Sequence, residues 1–528
     1  MTDIEIPAHS QKSWRYRFFE ILPGLLSWSI LITPFVISIF SPTAIALIII
    51  AFFLLWFSRA VGLNVRVIQG WRTVQQHQRL DWRKMLDELE RLDPKHNSKE
   101  LPKWHYEVIK RLQKTPTPIK PHQVIHAVFV FAYNEGIEIL KPTVQSILDS
   151  DYDMSQAILV LAYEARDGAQ SEEAMLTLAK KYRGDFREII VSKHPLTPGE
   201  VRGKGGNFNY AAHKLQSYLQ QNNIDPKYVM VTMLDSDNRP HAKYFTALSY
   251  TFAATPNPKQ ASYQPVPMFT NNIWDAPAPM RVIATGNSFW NLVLSLRPHM
   301  LRNFSSHSQP MDALIDTNFL SSRTIVEDGH QFWRSYFRFD GDYEVYPIYL
   351  PIYQDAVLSS NYRKTIKAQF VQIRRWAYGA SDIAYVADKA FFTPNNISKS
   401  DRLFKFLRLL EGHISWATAP LILAFAAFVP VLFNPDNYTA NLLPIIASRI
   451  QTVALIGIFV TLLLSIKALP PKPLRYKRHR TVFMVLQWVL LPLTTIVFNA
   501  LAALNSQTRL MLGKYLENFD VTDKVVKK

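Results

Sequence analysis

The 528-residue chain carries 59 Lys+Arg against 42 Asp+Glu, a formal net charge of +17, and contains no cysteine. The missing thiols exclude disulfides, thiolate zinc sites and a cysteine nucleophile. Hydrophobic residues make up 48% of the chain but are concentrated at its two ends, and much of the basic excess lies beside them, which points to lipid headgroups rather than nucleic acid.

In chain order, no side chain in 21–58 is charged, and Ser41-Pro42 sits mid-way as a turn between two spans of roughly 18 to 20 residues, enough to cross ~30 Å of hydrocarbon. The run is too long, and lacks the small-residue cleavage pattern, for a signal peptide. Lys12, Arg15 and Arg17 precede it; Arg59, Arg66, Arg72, Arg79 and Arg83 follow it. By the positive-inside bias both ends of this hairpin (1–62) are cytoplasmic. A helical cytoplasmic linker (63–120) follows.

From 121 to 388 short β-rich runs alternate with helical patterns. The runs 124–133, 157–163, 187–193 and 228–234 read as buried strands, separated by helices over 137–148, 171–182 and 208–221. This alternation predicts an α/β domain with a mainly parallel sheet and ligands at the carboxyl ends of its strands. Tyr133-Asn134-Glu135 ends the first strand, Tyr163-Glu164 the second, and Asp235-Ser236-Asp237 the fourth.

After an interfacial linker (389–411), a second apolar region (412–504) contains a run to residue 433, a turn at Asn434-Pro435-Asp436-Asn437, a span over 442–466 and a run over 481–504 broken by Pro492. The loop between the last two holds Lys467, Lys472, Arg475, Lys477, Arg478 and Arg480 and is assigned to the cytoplasm. The expectation is two spans before the domain and three apolar segments after it. The tail, 505–528, sets two arguments against each other. One crossing by 481–504 puts it outside, whereas Arg509, Lys514, Lys524, Lys527 and Lys528 favour the cytoplasm. A break at Pro492 into a re-entrant or interfacial pair resolves the conflict, with the amphipathic tail (Leu510-Met511-Leu512, Tyr515-Leu516, Phe519) resting on the membrane near the site.

Three polar signatures carry chemistry. Asp235 and Asp237 are either turn caps or ligands for a hard divalent cation that neutralises a diphosphate. Mg²⁺ and Mn²⁺ both suit such oxygens. Glu327-Asp328 either caps a helix through 329–333 or supplies a general base; His330 beside it reads as a packing or hydrogen-bonding residue. Gln372, Arg375 and Trp376 share a helical face, which either rests on the bilayer surface or faces a ligand. Lys204-Gly205-Gly206-Asn207 suits anion approach, and equally suits a plain loop. The helix pattern around 281–300 is either core packing or one wall of a cleft.

Phe131-Ala132-Tyr133-Asn134-Glu135, Gly203-Lys204-Gly205-Gly206-Asn207, Asp235-Ser236-Asp237, Val326-Glu327-Asp328 and Gln372-Ile373-Arg374-Arg375-Trp376 together resemble the family-2 glycosyltransferases of GT-A fold, in their membrane-embedded branch with cellulose and hyaluronan synthases. The resemblance implies an inverting transfer of sugar from a nucleotide sugar, a UDP-sugar foremost, at the cytoplasmic face of the inner (plasma) membrane. It also implies Asp235 and Asp237 as metal ligands for Mg²⁺ or Mn²⁺, with Asp328 as base beside Glu327. Tyr133, Asn134, Glu135, Glu164, Lys204, Asp235 and Arg375 would then contact the donor, and Gln372 and Trp376 a polysaccharide or lipid-linked acceptor. Two departures stand out: Val326 where many synthases have Thr, and Glu164-Ala165-Arg166-Asp167-Gly168 where many have an Asp-Asp-Gly type sequence. Processive synthesis, single-sugar transfer to a lipid, and a catalytically silent nucleotide-binding scaffold are the readings these features leave open.

Overall fold

The computed structural model describes residues 4–93, 101–166, 169–195, 197–477, 479–517 and 524. Asp167, Gly168 and Arg478, and Phe519, Lys527 and Lys528 of the tail, lie outside the described residues.

The centre of the chain builds an eight-stranded sheet: β1 (Ile125–Ala132), β2 (Ile158–Glu164), β3 (Glu188–His194), β4 (Val229–Asp235), β5 (Arg239–Pro240), β6 (Ala261–Phe269), β7 (Ser308–Pro310) and β8 (Glu344–Gln354), in the order β3-β2-β1-β4-β7-β6-β8-β5. The half that carries the strand-end motifs is wholly parallel, because a helix returns the chain between each successive pair of strands from β1 to β4. The other half is mixed: β7 runs antiparallel to β4 and β6, β5 runs antiparallel to β8, and β6 runs parallel to β8.

Side chains alternate across the parallel strands and both faces are covered. Val128, Val130, Leu159 and Leu161 pack with Leu140, Val144 and Ile147 on one face. On the other, Phe129, Phe131 and Val160 pack with Phe208, Ala211 and Leu215. The strand ends that carry the Tyr133, Glu164 and Asp235 motifs are thereby held between two packed layers.

Among the described residues, five helices are long and apolar enough to cross a membrane: Trp14–Phe40, Pro42–Arg79, Lys399–Phe433, Tyr438–Lys467 and His479–Met511, two before the domain and three after it. Ser41 ends the first and caps the second, its Oγ accepting from Ala44 N–H at 3.2 Å, with Pro42 in the first turn. The second hairpin turns beside the first: Asn434 Nδ2 donates to the Ser38 carbonyl at 2.8 Å, and the Phe35 and Phe433 rings meet edge-on at 6.3 Å. Helix Pro42–Arg79 continues into the domain, where Gly70 lies so close to helix Ala278–Ser295 that an added Cβ would stand 2.7 Å from the Leu292 carbonyl oxygen. The 281–300 stretch is therefore a packing helix that seats the domain on the apolar bundle.

The fifth apolar helix behaves differently from the other four. Near its start Arg480 donates to the Trp274 carbonyl at 2.8 Å, and Arg281 donates to Gln487 at 2.5 Å. Midway, Met484, Phe498 and Ala502 pack with Ile273, Trp274 and Ile373 of the domain. At its end Gln507 Nε2 donates to the His413 carbonyl at 2.7 Å, and Arg17, at the start of the first helix, donates to the Leu510 carbonyl at 2.7 Å. Both ends of a helix about 50 Å long at 1.5 Å per residue thus lie against the domain side of the bundle. Pro492 does not divide it into a re-entrant pair. The backbone absorbs the missing N–H through a 3₁₀ turn at Gln487–Leu490 and a π-helical stretch at Thr495–Ala500.

This arrangement has a direct topological readout. In this cysteine-free chain, single cysteines replacing Lys477 and Lys514 should react alike with an impermeant maleimide on intact spheroplasts, and Asp436→Cys should show the opposite accessibility. Matching reactivity of Lys514→Cys and Asp436→Cys would mean that the fifth helix crosses.

Candidate active site

Four parallel strands deliver their carboxyl ends to one edge, and the acidic residues collect there. Asp235 closes β4 and Asp237 follows two residues on. Ser236 Oγ, between them, donates to Glu135 Oε1 at 2.8 Å, and Thr143 Oγ1 donates to the Ser236 carbonyl at 2.6 Å. Glu135 is held from its own turn by Tyr133 N–H at 2.5 Å, a turn in which Asn134 takes a positive φ of 65°. Asparagine tolerates this left-handed conformation better than most residues. Glu164, buried at the end of β2, accepts from Arg166 Nε, and the Arg166 guanidinium lies 4.7 Å from the centre of the Tyr133 ring. The edge thus joins Tyr133, Asn134, Glu135, Glu164, Asp235 and Asp237, as the strand-end motifs predict.

Two lysines answer this negative charge. Lys204 opens helix Lys204–Gln221 and donates to Asp235 Oδ1 at 2.8 Å, with Ser305 Oγ donating to the other oxygen. Lys524, from the tail, donates to Asp237 Oδ1 at 2.7 Å and to Ser236 Oγ at 2.6 Å, with Glu135 Oε1 at 3.6 Å. Burial favours the neutral acid at Asp235, but Lys204 and Lys524 outweigh it and hold the carboxyl well below the usual carboxylate range. Burial alone would likewise lower the Lys204 ammonium; the charges of Asp235 and Glu327 reverse that and raise it.

Glu327 and Asp328 begin helix Glu327–Arg338, so the capping role and the placement at the site coexist. Both carboxyls are pushed upward, first by burial and, for Glu327, next by the charge of Asp328. Lys204, the Gly329 N–H donating at 2.7 Å, and Arg375 oppose the shift at Asp328. Glu327 is 4% exposed whereas Asp328 is half-buried, so Asp328 is the member of the pair that a ligand can reach. The influence of Arg375 also ties helix Tyr362–Ala377 to the site. On that helix Gln372 accepts from Gln369 at 3.2 Å, and Trp376 packs 6.1 Å from Phe269. His330 is turned away, its Nδ1 paired with Asp382 Oδ1 at 2.7 Å in the helix core.

Sequence reasoning did not single out Lys524, Ser305, Arg166 or Asp355 as site residues. Asp355 immediately follows β8, and its N–H donates to Asp237 Oδ2 at 2.9 Å. Its carboxyl is raised by burial and then by Asp237, and Oδ1 is buried without a hydrogen-bond partner. An acid directly after a strand of this sheet was the available signal.

Among the described residues no three His or carboxylate side chains form a ready-made metal cage. The donor set nevertheless fits a cation that keeps open positions for phosphate oxygens. Asp237 already faces an ammonium, Asp235 faces a second, and Asp355 presents an orphaned oxygen nearby.

No protein-family profile matches the chain. No curated protein is similar to it in sequence. Among solved structures, mannosyltransferase PcManGT from Pyrobaculum calidifontis, in complex with GDP-Man and Mn²⁺, aligns over 76% of this chain and 99% of its own at 14% identity and a TM-score of 0.39. Residues 1–349 of S. aureus TarS, in complex with UDP-GlcNAc, align over 74% of this chain and 93% of their own at 12% identity and a TM-score of 0.35. Likenesses this distant transfer neither function nor residue roles, which rest here on the geometry of the chain itself.

Gly205 offers a check on how the lysine arm is built. A Cβ there would fall 2.3 Å from the Ser321 carbonyl oxygen, so helix Lys204–Gln221 reaches Glu327 only because position 205 lacks a side chain. Gly205→Ala should cost about 1–3 kcal/mol, the usual scale of overpacking, and lower the thermal midpoint of detergent-solubilised protein. An unchanged midpoint would show that the helix shifts freely.

Proposed function

We propose that the protein is a glycosyltransferase that moves a sugar from a nucleotide-sugar donor to a polysaccharide or lipid-linked acceptor at the cytoplasmic face of the plasma membrane. The observation that carries this reading is the convergence of Lys204, Asp235, Asp237, the Glu327-Asp328 pair and the influence of Arg375 on one strand edge. A site built from paired cations and carboxylates, with one half-buried acid beside them, suits departure of a diphosphate and deprotonation of a hydroxyl.

In this proposal Tyr133, Asn134, Glu135 and Glu164 line the nucleotide end, while Lys204 and Arg375 face the diphosphate. Asp235 and Asp237 hold a divalent cation, Mg²⁺ or Mn²⁺, which when bound neutralises the charge growing on the leaving group. Asp328 accepts the proton of the acceptor hydroxyl as that oxygen attacks the anomeric carbon from the face opposite the diphosphate, so configuration inverts. Glu327, buried against Lys204, keeps the helix start and its neighbour in place. Gln372 and Trp376 present an amide and an indole ring to the acceptor. UDP-sugars are the donors to test first.

Asp328→Asn preserves size and removes the base. Turnover should fall by ~10² to 10⁴ while nucleotide binding persists, and near-normal turnover would remove Asp328 from that role. The raised carboxyl also sets a sign for pH: wild-type activity should decline as pH falls through that raised value, because only the ionised acid accepts a proton. For the cation, titration of UDP and GDP with and without EDTA should give markedly weaker binding in EDTA, and Asp235→Asn with Asp237→Asn should abolish the difference. Equal affinity in both media for the wild type would contradict the clamp. Sizing the product formed from labelled donor separates polymer synthesis from single transfer, and absence of any transfer would leave nucleotide binding alone.

A further inference from the structure

A cavity of about 550 Å³ opens between helices Pro42–Arg79 and Tyr438–Lys467, on the domain side of the bundle. Two chemistries are layered along it. Ile68, Trp71, Val460, Leu463 and Leu464 form an apolar floor, and Arg72, Arg79 and Lys467 stand around the mouth. No carboxylate lines it, and none of the three cations has an acidic partner among the described residues. Two other basic groups near the bundle do have carboxylate partners: Arg59 pairs with Glu411 at 2.8 Å, and Arg475 with Asp275 at 2.7 Å. Three unmatched cations, two from the last turns of helix Pro42–Arg79 and one from the end of helix Tyr438–Lys467, repel one another unless an anion joins them.

We propose that this cavity is a binding site for an anionic glycerophospholipid of the surrounding leaflet. One acyl chain would lie against Leu463, Val460 and Ile68, and the phosphate would sit among Arg72, Arg79 and Lys467. The charge pattern and the apolar depth match such a molecule end to end, because a lipid alone carries its phosphate at the head of a hydrocarbon chain and meets both helices at that level. The site is distinct from the candidate active site. Val67, Val74 and Leu464 pack onto Met268, Phe289 and Leu292, and no residue lining the cavity belongs to the strand edge bearing Asp237. The bound lipid therefore acts as a structural cofactor that joins the second and fourth helices rather than as an acceptor.

The test compares full-length protein in mild detergent with phosphatidylglycerol or phosphatidylcholine added, read by native mass spectrometry and by thermal midpoint. Wild type should retain one phosphatidylglycerol in preference to phosphatidylcholine and gain thermal stability from it. Arg72→Gln/Arg79→Gln/Lys467→Gln should bind it roughly 100-fold more weakly, as expected for three lost headgroup contacts. Lys472→Gln/Lys477→Gln, which removes two loop charges outside the cavity, should bind as wild type does. Leu463→Trp, which fills the floor and keeps every charge, should also lose the lipid, so the outcome does not hang on one triple variant. Equal weakening by the loop variant would reduce the effect to diffuse attraction, and equal retention of phosphatidylcholine would remove the role of the cations. Either result overturns the site.

Discussion

Carboxylates brought out of water at one edge of a sheet repel one another and lose hydration, so the edge folds only where cations reach it. Here Glu135, Asp235, Asp237 and Glu327 crowd together, and the fold answers with Lys204 at the first turn of a helix and Lys524 from the tail. Much of the surrounding architecture follows from getting those two ammonium groups into position. Gly205 permits the helix of Lys204 to close on Ser321, and the fifth apolar helix brings the tail back beside the domain. The same opposition of charge that stabilises the edge is what a diphosphate and a divalent cation would exchange with, so fold stability and ligand affinity draw on one set of groups.

The membrane half obeys a separate constraint with a matching result. Backbone groups in hydrocarbon must be satisfied internally, so the four segments that meet in two hairpins are helical almost throughout, with polar turns placed together at Ser41 and Asn434. The fifth helix is apolar enough for the same environment and yet meets the domain near its start and midway, while its end packs against the first and third helices. It packs with Ile273, Trp274 and Ile373, contacts that a bilayer-crossing path would forfeit.

The sequence revealed the parallel half of the sheet because β1 to β4 are dense in Val and Ile and separated by regular helical patterns. It concealed the mixed half. Pro265 and Pro267 interrupt β6, Pro347 and Pro351 interrupt β8, and proline within a run argues against a strand. The sheet accommodates them through a register shift at Pro265/Val266. In the site, Asp235, Asp237, Glu135 and Glu164 were legible because strand ends in an α/β sheet are where ligand-facing residues gather. Ser305 and Asp355 come from the less legible half, and Lys524 comes from more than 280 positions away, so no local pattern marks them. The tail was placed near the site on charge and amphipathicity, but its reach into the carboxylates depends on tertiary contacts such as Tyr515 with Glu20 at 2.7 Å.

The late position of Lys524 in the chain also has a consequence for biosynthesis. Domains fold largely as their residues leave the ribosome, and Lys524 emerges after every other residue described at the strand edge. The nascent domain must therefore assemble Asp237, Ser236 and Glu135 before their ammonium partner has been translated. During that interval these groups lack the ammonium that later neutralises them, which reaches the edge only once the fifth apolar helix has been made.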